Sequence, residues 1–165
     1  MKNAEVLIAS NDGVYSIKVN GRATFECAPP LRSLAKELEN VVFKKIDVDL
    51  SACTGMDSTF MGILAMLGLR AKKIDAVMTI FNAGDLNKSL LFGLGLKKLF
   101  TFSEGEISLD PQGGTSQDGA DRIASARTVL EAHKTLMDVD EENVRKFEKV
   151  VDFVQKDLDR LNDKK

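Results

Sequence analysis

The stretch Asp47-Val48-Asp49-Leu50-Ser51-Ala52-Cys53-Thr54-Gly55-Met56-Asp57-Ser58-Thr59-Phe60-Met61-Gly62 contains a change of hydrophobic period that decides the fold. On its upstream side Ile46, Val48 and Leu50 alternate with Lys45, Asp47 and Asp49, the period of two expected of a strand. Downstream, Ile63, Leu64, Met66, Leu67 and Leu69 make a helix apolar on most sides, which implies packing against a sheet. Residues 51–56 read as a connector. Asp57 suits the N-cap, because its short carboxylate can accept from the unpaired N–H groups of the first turn. Ser58 then falls at the first helical position, with its hydroxyl exposed beside the positive end of the helix dipole.

Working outward, βαβ units appear on both sides. Val6-Leu7-Ile8-Ala9 and Val14-Tyr15-Ser16-Ile17-Lys18-Val19 flank Asp12-Gly13, a hairpin signal because the turn needs positive φ. In the second run Tyr15, Ile17 and Val19 mark a buried face, and Ser16 and Lys18 a wetter one. Pro29-Pro30 open a helix carrying Leu31, Leu34, Ala35 and Leu38, a spacing that extends to Val41-Val42. Val77 to Phe81 is a strand ended by Asn82-Ala83-Gly84. Asp85 caps a helix through Leu96, and Phe100-Thr101-Phe102 is a last short strand. The order β-β-α-β-α-β-α-β implies an α/β fold, a mixed β-sheet with packed helices whose parallel neighbours follow an antiparallel hairpin.

The pattern changes after residue 109. Residues 110–119 read as a linker, polar and without periodicity, which separates a domain at 1–109 from a C-terminal helical extension at 120–165. In the extension Ile123, Leu130 and Met137 recur every seven residues. Val144, Phe147, Val151, Val154, Leu158 and Leu161 form a second stripe, before which Asp140 can cap a final helix. Three destinations are open to that stripe: the domain itself, a second copy in a homodimer through the C-terminal helices, or a partner.

Composition narrows the function classes. The 165-residue chain is 44% hydrophobic and 29% charged, enough apolar side chain for a core without disulfides. A net charge of −2 gives no basic footprint for nucleic acid, and lysine pairs such as Lys72-Lys73 read as solvated ends. The longest apolar stretch, Phe60 to Leu69, is interrupted by Gly62 and Gly68 and falls short of the about 18 residues of a membrane span. With no signal peptide, the expected location is the cytoplasm, where Cys27 and Cys53 stay reduced. No cofactor motif stands out, because Gly93-x-Gly95 alone is too weak for a nucleotide site.

At Asp57-Ser58-Thr59-Phe60-Met61-Gly62 the sequence resembles the STAS family, and within it the bacterial anti-sigma-factor antagonists, whose hallmark is Asp-Ser-Ser/Thr-Gly-Leu-Gly at a helix start. The resemblance spans residues 4 to 105 and includes Asn82-Ala83-Gly84 and Leu94-Gly95-Leu96. Phe60 and Met61 depart from the motif's glycine and leucine. The resemblance implies a STAS-like fold and partner switching with no catalysis by the chain. By that resemblance the unphosphorylated protein would bind an anti-sigma factor that is also a serine kinase, through Asp57, Ser58, Thr59, Phe60 and Met61. The resemblance further implies that the kinase would phosphorylate Ser58 (Thr59 as fallback) and that a PP2C-type phosphatase would restore binding.

Other readings of the same residues stand beside this one. Ser58 can be an ordinary serine of a capped first turn, in a non-switching STAS subunit of a larger assembly such as a lipid-transport complex. A hydrolase built on Ser58 and His133 would need the tail to meet the motif, and a carboxylate behind the imidazole. Cys53 reads as a half-buried structural thiol before a reactive one.

Overall fold

The computed structural model describes residues 4–111 and 122–163, excepting the side chains of 122–125 and 162–163. The expected linker therefore lies outside the described residues from 112 onward, as does the Ile123 side chain. Strands β1 (Glu5–Asn11) and β2 (Val14–Ala23) pair antiparallel around a turn in which Asp12 and Gly13 have φ of 51° and 79°. Helix α1 (Pro29–Leu38), with prolines in its first turn, leads to β3 (Lys45–Asp49). Helix α2 (Ser58–Lys73) leads to β5 (Val77–Phe81), and α3 (Asp85–Gly93) to β6 (Thr101–Ser103). The sheet order is β1-β2-β3-β5-β6, parallel from β2 onward, as the βαβ reading requires.

Residues 51–56 are not a simple connector. Cys53–Met56 form a fourth strand, β4, pairing parallel with the far end of β2. This is possible because β2 is long and shifts register at Gly21, whose φ is +83°. The Gly21 N–H donates to the Ala52 carbonyl (2.9 Å) and the Asp57 N–H to the Ala23 carbonyl (2.9 Å), so β4 delivers the chain to the start of α2 at a fixed place.

Several boundaries also differ from the sequence reading. Helix α1 stops at Leu38, because the Arg70 guanidinium donates to the carbonyls of Leu38 (2.8 Å) and Val41 (3.0 Å), and Val42 is left 81% exposed. Gly84, not Asp85, is the N-cap of α3, and Asp85 is the first helical residue. That helix ends at Gly93, where Gly95 (φ +73°) turns the chain and the Leu96 N–H bonds back to the Leu91 carbonyl.

Ile17, Val19, Ile46, Val48 and Ile80 are buried in one core with α1 and α2. The opposite face is covered too. Ser16, expected on a wetter face, is fully buried: its Oγ accepts from the Leu109 N–H (3.0 Å), and Asp47 accepts from the Ser108 hydroxyl (2.7 Å). The chain after β6 thus runs back beneath the sheet before the tail begins.

The tail is a hairpin of α4 (Arg122–Val139) and α5 (Glu141–Asp163). Asp140 caps α5 as expected, its Oδ1 accepting from the Glu142 N–H (3.0 Å). The stripe of α5 is used within the chain: Val144, Phe147, Val151, Val154 and Leu161 are half-buried and Leu158 is buried along α4. Of the three destinations open in the sequence, the hairpin takes the domain. It lies against α2, which explains why α2 is apolar on most sides: one side meets the sheet and the other meets α4.

Candidate functional site

The site forms where β4 hands the chain to α2. Asp57, extended at φ −91° and ψ 173°, caps the helix with Oδ1 accepting from the Phe60 N–H (2.8 Å). Its Oδ2 accepts from the Phe25 N–H (2.9 Å), tying the loop between β2 and α1 to the same carboxylate. Ser58 is the first residue of α2, as the sequence predicts, but its hydroxyl is not freely exposed. Ser58 Oγ lies 2.8 Å from Nε2 of His133 on α4, and the serine is half-buried.

The imidazole has a defined proton. His133 Nδ1 lies 2.7 Å from the Val129 carbonyl oxygen, which can only accept, so Nδ1 carries the hydrogen. In the neutral ring Nε2 then holds the lone pair, and the Ser58 hydroxyl donates to it. The ring packs edge-on against Phe147 of α5, with centroids 4.8 Å apart, and is buried. The sequence held no signal for this meeting, because residue 133 lies in a separate helical pattern across an aperiodic stretch.

The remaining expected contact residues are placed together but covered. Thr59, Phe60 and Met61 are all buried, Phe60 completely. One turn beyond Ser58, Gly62 meets α4: a Cβ there would overlap the Ala132 carbonyl and sit 2.6 Å from the Ala132 Cβ. Beside it Glu131 of α4 bridges two cations of α1, Arg32 (2.6 Å) and Lys36 (2.8 Å). Burial pushes the Glu131 carboxyl up, but Lys36 and Arg32 together outweigh it and hold it below the usual range.

Cys53 and Cys27 lie in β4 and in the loop before α1. Burial pushes both thiols up, which fits structural roles. Among the described residues no helix is long and apolar enough to cross a membrane.

Solved structures share this arrangement of strands and helices. A Thermotoga maritima protein described as a candidate anti-sigma factor antagonist superposes with a TM-score of 0.53 at 17% identity, over 62% of this chain and 88% of that one. The Bacillus cell fate determinant SpoIIAA in its phosphorylated form gives 0.52 at 11% identity, over 61% of this chain and 91% of that one. The anti-sigma factor antagonist SpoIIAA in its unphosphorylated form gives 0.50 at 9% identity, over 62% and 89%. The chain has a STAS fold. Neither the protein-family models nor the curated proteins give a match to the sequence. At these identities the likeness is one of fold, and this chain carries the α4–α5 hairpin in addition.

Proposed function

We propose that this STAS domain is an anti-sigma-factor antagonist that works by phosphorylation-controlled binding. It binds an anti-sigma factor with serine-kinase activity while Ser58 is unmodified and releases it when Ser58 is phosphorylated. A PP2C-type phosphatase resets the cycle. The observation that carries this reading is the position of Ser58: the first residue of a helix capped by Asp57, held in place by β4, with a polarised hydroxyl. A phosphate there adds about −1.5 to −2 charges to a patch that otherwise packs against apolar groups. Loss of about 2.7 kcal/mol of binding free energy is a hundredfold in affinity, within reach of such a charge.

The same geometry weighs against a hydrolase. Asp57 is committed to two backbone N–H groups, and Nδ1 of His133 is taken by the Val129 carbonyl, the place a triad gives to a carboxylate. On this reading the chain acts by binding a partner.

The test is a calorimetric titration against the anti-sigma kinase of the same genome, using wild type, Ser58→Ala and Ser58→Asp. Wild type and alanine bind, aspartate binds about a hundredfold more weakly, and ATP with magnesium releases only the wild type. Equal binding by all three, unaffected by ATP, would leave a non-switching STAS subunit of a larger assembly.

A further inference from the structure

Three consecutive residues of α4 meet the domain with different chemistry. Glu131 sits between Arg32 and Lys36 of α1, Ala132 is pressed on Gly62, and His133 takes the Ser58 hydroxyl. The groove between α1 and α2 therefore accepts a helix presenting a carboxylate, a small residue and a hydrogen-bond acceptor in succession. We infer that this groove is the docking surface for the partner's helix, and that α4 occupies it in cis, so that partner and hairpin exclude one another. The inference rests on the reading of Ser58 given above.

The exclusion is steric as well as chemical. With α4 at contact distance over Gly62, no second helix fits on that face of α2. The hairpin is also built to leave as a unit. Among the described residues its apolar anchors in the main core are Ala132, Leu136 and Val139, with Phe147 at the edge, while Leu130 and Leu158 are buried outside that core. Much of its remaining hold is polar and concentrated at the turn. Asn143 donates to the Leu94 carbonyl (2.9 Å), Lys146 to the Gly93 carbonyl (2.8 Å), and Lys98 to the Val139 carbonyl (3.0 Å). Lifting the hairpin breaks these bonds without unpairing a strand, and it exposes Ser58 and the small-residue face around Gly62 together.

A thiol reporter in the full chain tests the closure. In Ser58→Cys, iodoacetamide labelling is followed by peptide mass spectrometry, with buried Cys53 as the control for global unfolding. Ala132→Leu overpacks the contact with Gly62, and Glu131→Arg reverses the charge facing Arg32 and Lys36. Each is expected to raise labelling at position 58 about tenfold with Cys53 unchanged, and Ala132→Leu, with Ser58 intact, to bind the kinase about tenfold more tightly than wild type, because the closed fraction no longer lowers apparent affinity. Labelling at the free-thiol rate in the parent, or a rise at Cys53 equal to that at position 58, overturns the closure. Easier labelling with unchanged kinase affinity overturns the shared surface. A chain that binds no kinase in either form sinks the reading of Ser58 and the partner's use of the groove together, while the labelling still decides whether the hairpin closes it.

Discussion

At the scale of single residues, Gly62 shows how packing can reverse a local preference. On an exposed helix an alanine in place of glycine stabilises by about 1 kcal/mol, because glycine loses more backbone entropy on folding. At position 62 the added methyl group has nowhere to go, since it would overlap the Ala132 backbone. Gly62→Ala is therefore expected to destabilise the full chain by about 1–3 kcal/mol, measured by urea unfolding. A stabilised variant would mean that α4 does not sit on α2 at this distance. The Ser58–His133 pair works by a different residue-level rule. A carbonyl behind the ring fixes the tautomer, and the tautomer fixes the direction of the serine proton.

At the scale of elements, the seat of α4 on α1 is electrostatic and therefore pH-dependent. The Glu131 carboxyl is lowered in the folded chain, so its contribution is fully present above the usual glutamate range and is lost as pH falls through the folded value. Unfolding free energy is expected to drop between neutral pH and about pH 3, with Glu131→Gln showing a shallower drop. Burial also works against the Asp49 carboxylate, but Asn82 and Ser51 outweigh it and lower it, so it adds to the same acid loss. The difference between wild type and Glu131→Gln isolates the α4 seat, and parallel pH curves would show that Glu131 contributes nothing to it. The main elements of the α/β domain were legible from local pattern: the Asp12-Gly13 turn, the prolines opening α1, the alternation in β3 and the cap at Asp57. Strand β4 was not, because Cys53-Thr54-Gly55-Met56 has no alternation of its own and pairs only where β2 shifts register at Gly21. The covering of Ser16 and Asp47 was not legible either, since it depends on chain arriving from residues 108 and 109. The start of α2 at Ser58 was read correctly from the sequence, but its cover by α4 was missed. An apolar surface on most sides of α2 was the available signal that a second layer had to come from somewhere.

At the scale of the whole molecule, the domain and its hairpin differ in how they are held. The sheet is closed by backbone pairing through β1-β2-β3-β5-β6 and buried on both faces near its centre, so opening it removes the core. Among the described residues the hairpin is held by apolar side chains of α4 and α5, by the Glu131 ion pairs, by the Ser58–His133 bond and by side-chain bonds to carbonyls, none of them part of the sheet. Local opening free energies follow such differences, ranging from near zero up to the global value. Amide hydrogen exchange should therefore separate two classes. Amides in the middle of β2, β3 and β5 exchange only with global unfolding, whereas those of α4 and α5 exchange together, about tenfold or more faster, through a shared opening. Mild acid should speed the hairpin class, because Glu131 gains its proton as pH falls. If both classes exchanged at one rate and responded alike to acid, the hairpin would be a fixed layer of the domain. Ser58 would then have no open form in which to meet a kinase.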